Sequence, residues 1–276
     1  MKVWLVTGAS RGLGRSLVEA ILENGDSVVA TARDPQQLSH LDETYEKARV
    51  LLAVLDVTNS RNALEVVQQA YDKFGRIDVV VNNAGYADCA SIEDMTLESF
   101  RAQIETNFFG VVNVTKAVLP LLREQGFGHI LQVSSVGGRL GSPGLGAYQS
   151  AKWAVGGFST VLSNEVASLG IKVTVLEPGG IKTDWAGSSM GHGHISEAYE
   201  KTVGVMKEAR ERAFDDCSEP SSIARAIMHI AEVEQPPLRV LLGPDTIQHA
   251  AAAAEALTAS DKKWKMLQGC HSERIS

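Results

Sequence analysis

A tyrosine and a lysine stand four residues apart in the run Gly146-Ala147-Tyr148-Gln149-Ser150-Ala151-Lys152. On a helix, positions i and i+4 share a face, about 6 Å apart along the axis. A free phenol ionises near about pH 10 and exchanges protons poorly at neutral pH. A neighbouring ammonium favours the phenolate, so the spacing predicts a lowered Tyr148 pKa. Such a pair is a candidate acid/base. Alone, the pattern fits a surface pair equally well.

Serine and asparagine add to it. Ser134 and Ser135 close an apolar run at residues 130–133, which places their hydroxyls at the carboxyl end of a predicted strand. Ligands bind along that edge in open α/β sheets. Asn82-Asn83-Ala84-Gly85 ends another such run, and Asn107 falls in the helical stretch Ile104-Glu105-Thr106-Asn107-Phe108-Phe109-Gly110. A buried amide needs partners, so a satisfied core asparagine is the plain alternative there.

The first apolar run, residues 3–6, leads into Thr7-Gly8-Ala9-Ser10-Arg11-Gly12-Leu13-Gly14. Glycines allow a tight turn and close approach of backbone to ligand. The helix that follows offers N–H groups and a positive dipole end to a pyrophosphate. The spacing is G-x-x-x-G-x-G rather than the more familiar G-x-G-x-x-G. The second strand ends Ala30-Thr31-Ala32-Arg33-Asp34-Pro35. Ala32 stands where an NAD site wants an acid. Arg33 suits a 2′-phosphate, and Arg11 could close on the same group, which favours NADP(H). Asp34 reads as the cap of a helix that begins at Pro35.

These groups need a scaffold. Strands are expected at residues 3–6, 27–31, 50–55, 79–81, 130–133, 173–176 and 239–242, and helices at 13–24, 62–74, 97–125, 147–169 and 221–232. Short apolar strands alternating with helices imply one doubly wound, Rossmann-type α/β domain with a seven-stranded parallel sheet flanked by helices. That domain is expected over residues 1–245, with residues 246–276 as a C-terminal extension that is helical near 250–257. The irregular stretch 184–216, helical near 197–212, reads as a substrate lid.

Composition narrows the possibilities. The chain has 276 residues, and Lys plus Arg against Asp plus Glu gives 26 − 33 = −7. Without a basic face, no nucleic acid and no membrane is expected as partner. The three cysteines, Cys89, Cys217 and Cys270, form no C-x-x-C, so neither a disulfide framework nor a cysteine zinc site is expected. Gly191-His192-Gly193-His194 lacks a third ligand nearby, so no metal is expected and both histidines read as solvated. Cys89 shows no basic partner and reads as a packing residue. Trp185 and Met190 fit either contact with an apolar substrate or packing of the lid. With no apolar run of about 18 residues and a short lead into the first glycine, the expected location is cytoplasmic.

Together, Thr7-Gly8-x-x-x-Gly12-x-Gly14, Asp56, Asn82-Asn83-Ala84-Gly85, Asn107, Ser135, Tyr148-x-x-x-Lys152 and Pro178-Gly179 resemble the short-chain dehydrogenase/reductase family. The serine-to-tyrosine spacing, 148 − 135 = 13, is similar to the family's, and the likeness covers residues 1 to about 245. Residues 30–34 look like its NADP-preferring branch, which includes carbonyl and hydroxysteroid reductases. The resemblance implies that Tyr148 exchanges the proton while Lys152 lowers its pKa and bonds the nicotinamide ribose. Ser135 would hold the substrate oxygen, and Asn107 would complete a water-linked relay to Lys152. Gly8, Ser10, Arg11, Gly12, Leu13 and Gly14 would cradle phosphate, Arg33 the 2′-phosphate, and Asp56 with Val57 the adenine. Asn83, Ala84 and Gly85 would line the crevice, and Pro178, Gly179 and Thr183 would border the carboxamide. The implied reaction is NADPH-dependent reduction of a ketone or aldehyde, reversibly an alcohol oxidation. A non-catalytic NADP(H) sensor and a non-redox isomerase or dehydratase are the alternatives on the same fold. Relatives commonly pair through helices 97–125 and 147–169, so a homodimer or homotetramer is expected.

Overall fold

The computed structural model describes residues 1–183 and 191–265. Seven strands form its main sheet: β1 (Val3–Val6), β2 (Ser27–Ala32), β3 (Val50–Val54), β4 (Val79–Asn82), β6 (Gly128–Val133), β7 (Ile171–Pro178) and β9 (Arg239–Leu242). A separate two-residue pair, β5 (Asp88–Cys89) with β8 (Gly191–His192), lies apart from it and is too short to be legible in the sequence. The order is β3-β2-β1-β4-β6-β7-β9, and every neighbour is parallel. The seven predicted strands are all present, within two residues at each end.

Alternation along a strand sends successive side chains to opposite faces. In β1, Trp4 and Val6 pack with α1 (Gly12–Glu23) and α8 (Pro220–Glu232), beside Leu17, Ile21 and Ile227. Leu5 points the other way and joins Val66 of α3 (Ser60–Phe74), Val114 and Val118 of α5 (Gly110–Gln125), and Leu162 of α6 (Gly146–Val166). Both faces are therefore covered, which explains why the strands read as apolar throughout rather than alternating. Truncating a residue such as Leu5, fully buried, should cost about 2–5 kcal/mol.

Local signals place the helix ends. Asn59 caps α3 by accepting from the N–H groups of Arg61 and Asn62, and Gly75 closes it with φ +72°. The expectation of one helix over 97–125 is corrected. α4 (Leu97–Ile104) passes into a π turn at Glu105–Phe109 before α5 begins, so Asn107 stands inside an irregular turn. Such insertions are frequent at functional sites.

Between β7 and α8, residues 197–204 form 3₁₀ and π turns, followed by α7 (Val205–Arg212). Part of the expected lid, residues 184–190 with Trp185 and Met190, lies outside the described residues, as does Cys270. The short α2 (Ser39–Thr44) follows β2, and α9 (Thr246–Lys263) continues from β9, longer than the helical stretch expected there. Among the described residues no helix is long and apolar enough to cross a membrane. From β1 the chain moves outward to β2 and β3, then returns to place β4 on the other side of β1. That reversal opens a crevice at the carboxyl ends of β1 and β4.

Candidate active site

The turn between β1 and α1 is shaped by close contacts. Gly8 (φ +67°) and Gly12 (φ +54°) adopt the left-handed conformation that favours glycine. At Gly14 a Cβ would lie 2.2 Å from the Gly8 carbonyl oxygen, so any side chain would break the turn. Thr7 Oγ1 accepts from the N–H groups of Asn83 and Ala84, each at 3.0 Å. The Asn83 amide donates back to the carbonyls of Thr7 (2.9 Å) and Gly8 (3.1 Å). Asn83 thus braces the turn from the end of β4. Arg11, the N-cap of α1, is extended, does not cap the helix with its side chain, and no acid occupies the first turn. The positive end of the helix dipole is left facing the crevice.

Farther along the crevice, Ala32 is buried and Arg33 is exposed. Asp34 accepts from the Gln36 N–H at 3.0 Å and caps the 3₁₀ turn Pro35–Leu38, as its sequence context suggests. Asp56 accepts from both the N–H (3.0 Å) and the hydroxyl (2.8 Å) of Thr58, which fixes the loop before α3. Val57 packs on Gly110, where a Cβ would come within 2.6 Å of it.

At the other end, Tyr148 and Lys152 are both buried on one face of α6. Lys152 Nζ donates to the Val133 carbonyl at 2.7 Å and lies 5.5 Å from the Tyr148 ring centroid. Burial pulls the Lys152 ammonium down to about 8. Tyr148 moves opposite to expectation. Burial raises its pKa, and hydrogen bonding with the Ser135 hydroxyl only partly opposes that. The predicted lowering fails because the phenol loses its water while the neighbouring ammonium is itself weakened by burial. Ser135 also accepts from the Gly137 N–H at 3.0 Å, holding the turn Val136–Gly138. Ser134 donates to the Lys152 carbonyl at 3.2 Å, tying β6 to α6.

Asn107 is held by three hydrogen bonds. Its amide donates to the carbonyls of Tyr86 (2.8 Å) and Gln103 (2.9 Å), and its oxygen accepts from the Tyr86 N–H at 3.2 Å. Gly85 lets this happen, since a Cβ there would lie 2.5 Å from Asn107 Oδ1 and 3.7 Å from Lys152 Nζ. Beyond β7, Gly179 abuts Asp245, and Thr183 sits 3.2 Å from where a Gly12 Cβ would be, closing over the glycine turn.

Every residue singled out from the sequence for the site lines one cleft of about 440 Å³. Sequence reading missed three features around it. Tyr86, half-buried in the same cleft, has its phenol pKa raised by burial and then by Asp88, with Arg33 opposing. Glu177, fully buried one residue before Pro178, accepts from Arg139 Nε (2.7 Å) and Arg239 Nε (2.9 Å). An acid inside an otherwise apolar strand was the signal, because a buried carboxylate must be paired. The third corrects an expectation. Cys89 does have a basic partner, Arg210, whose guanidinium donates to its sulfur at 3.5 Å. No sequence spacing links residues so far apart.

Comparison with known proteins identifies the family. The family described as short chain dehydrogenase matches residues 2–191. The oxidoreductase BOA17 of Botryotinia fuckeliana is 57% identical over 267 residues, covering 96% of this chain and 97% of its own. A short-chain dehydrogenase from Streptomyces avermitilis superposes with a TM-score of 0.90 at 34% identity, covering 98% of each chain. An alcohol dehydrogenase from Thermococcus sibiricus, solved with 5-hydroxy-NADP, gives 0.72 at 27% identity, over 88% of this chain and 96% of that one.

Proposed function

The chain belongs to the short-chain dehydrogenase family of oxidoreductases, and on that premise we propose that it is an NADP(H)-dependent enzyme reducing a ketone or aldehyde to the alcohol, reversibly. The observation that carries the proposal is the meeting of Tyr148, Ser135 and Lys152 in the same cleft as the glycine turn. The cleft fits a dinucleotide: the turn has no room for a Cβ at Gly14, and α1 points an uncapped N-terminus into it. The NADP complex of the Thermococcus sibiricus relative supports the same coenzyme here.

Gly8, Ser10, Gly12, Leu13 and Gly14 hold the pyrophosphate, and Arg33 with Arg11 holds the 2′-phosphate. Asp56 and Val57 face the adenine. Asn83, Ala84 and Gly85 form the floor, and Pro178, Gly179 and Thr183 border the carboxamide. When bound, the dinucleotide supplies the hydride. Tyr148 donates its proton to the alkoxide charge that develops on the substrate oxygen, and Ser135 bonds that oxygen as the charge grows. A raised phenol pKa suits reduction because the donor stays protonated at neutral pH. Lys152 bonds the ribose and keeps a positive charge beside the ring. Asn107, set in the π turn, would complete a water-linked proton relay to Lys152.

The same proposal includes a homodimer or homotetramer. Trp153 is 52% and Val161 58% exposed on α6, an apolar stripe that a second copy would cover. A monomer mass by light scattering at micromolar concentration would count against it. The decisive assay incubates the protein with NADPH and a panel of ketones, aldehydes and quinones, followed at the nicotinamide absorbance. Turnover of at least one carbonyl is expected. Tight NADPH binding without oxidation by any of them would overturn the proposal.

A further inference from the structure

Among the described residues, 191–199 bond to the body along one strip. β8 pairs with β5, and the Gly193 N–H donates to the Cys89 carbonyl at 3.1 Å. The Ser196 N–H and hydroxyl both donate to Asp94 (3.1 and 3.2 Å), and the Tyr199 hydroxyl donates to Glu93 at 2.5 Å. All of these anchors fall within residues 88–94. No residue of α7 is fully buried, so packing holds it only weakly.

Arg210 is different. From α7 its guanidinium reaches the strip through Cys89 Sγ and also crosses to the loop ahead of α6. There it donates to Ser142 Oγ at 2.9 Å and to the Pro143 carbonyl. The crossing is tight. At Gly144 (φ +86°) a Cβ would lie 2.9 Å from Cys89 Sγ and 3.0 Å from Val203. The Ala90 N–H donates to the Gly144 carbonyl at 3.1 Å. Leu145 follows, and three residues later comes Tyr148; Cys89, Leu145, Tyr148 and Val203 share one buried apolar cluster.

We propose that Arg210 is a positioning residue, fastening the substrate-side segment to the loop that leads into α6 and Tyr148, so that substrate binding and proton transfer are set together. The proposal rests on the reading of Tyr148 as the proton donor. Arg210 touches none of the residues assigned to phosphate, adenine or 2′-phosphate, so dinucleotide affinity is independent of it. Guanidinium suits the task because its planar fork meets acceptors on two walls at once, and its charge does not titrate.

Arg210→Met keeps the length of the stem and removes all three bonds. Its kcat/KM for a reducible ketone should fall about 10- to 100-fold, the scale of a displacement of roughly 1 Å at a reacting centre. The dissociation constant for NADPH should stay at the native value. Arg210→Lys, able to satisfy one wall only, should lie between. Ser142→Ala should lose less, and combined with Arg210→Met should add little, since both break one link. Native kcat/KM in Arg210→Met would overturn the proposal, as would an equal loss of NADPH affinity, which would mark a general structural effect. Hydrogen exchange separates this from the reading beneath it. If the native protein reduces no carbonyl, faster exchange in both 142–148 and 205–212 of Arg210→Met still supports the link, and unchanged exchange refutes it.

Discussion

Lys152 holds its ammonium 5.5 Å from the Tyr148 ring centroid while donating to the Val133 carbonyl at 2.7 Å. The same burial drives the two groups apart in acidity, because it penalises the charged form of each. The lysine falls to about 8, and the phenol rises. As pH increases, the first of the pair to lose a proton is therefore Lys152. Reduction should decline through an apparent pKa near 8 because the cation is lost, not because the donor becomes phenolate. The kcat/KM profile of Lys152→Arg should move this limb upward, since guanidinium keeps its charge. An alkaline limb unmoved in Lys152→Arg would assign it to another group.

Tyr148→Phe removes one hydroxyl and leaves the ring in its buried cluster. Turnover should drop by about 10²- to 10⁴-fold, the usual worth of a placed acid/base. Coenzyme affinity should persist, because the residues proposed to hold its phosphates lie at the other end of the cleft. Native activity in this variant would move the chemistry elsewhere while leaving the fold untouched.

What was legible in the sequence had local or periodic causes. The strands were visible because both faces are covered, and the glycine turn because only glycine fits at Gly14. Tyr148 and Lys152 were visible because four residues make one helical face. Three features stayed hidden. The π turn at Asn107 keeps helical composition, so residues 97–125 look continuous. The raised Tyr148 pKa depends on burial that distant elements supply. Arg210 meets Cys89 and Ser142 only after three separate segments have folded together.

Coenzyme choice should be readable in two residues. Arg33 is exposed at the cleft, and Ala32 cannot accept from a ribose 2′-OH, so NADPH should bind more tightly than NADH. Asp34 does not compete for the arginine's role, being committed to the Gln36 N–H. Changing Ala32→Asp and Arg33→Ala together exchanges a phosphate partner for a hydroxyl acceptor. The affinity ratio should swing by about 10- to 100-fold, since a hydrogen bond to a charged group is worth roughly 1.5–3 kcal/mol. Equal NADH and NADPH titrations of the native protein would refute this.

His129 gives a stability prediction independent of catalysis. Its imidazole is buried in β6, its Nε2 lies 3.0 Å from Thr174 Oγ1, and its Nδ1 has no partner among the described residues. Burial first, then the charges of Lys172 and Lys2, push its pKa down to about 3. In the unfolded chain it would titrate near the ordinary value of 6.5. Between those values the unfolded state carries the extra proton, so stability rises with pH in this window and is lost on acidification. The slope from this residue should approach about 1.4 kcal/mol per pH unit well below pH 6.5, once its unfolded-state imidazole is largely protonated. Urea unfolding at intervals from pH 7 to 4.5 should show it. His129→Gln keeps a polar group for Thr174 but binds no proton, so its stability should fall less steeply than the native protein's over the same range. Identical slopes for the two proteins would show that His129 is not buried in its neutral form.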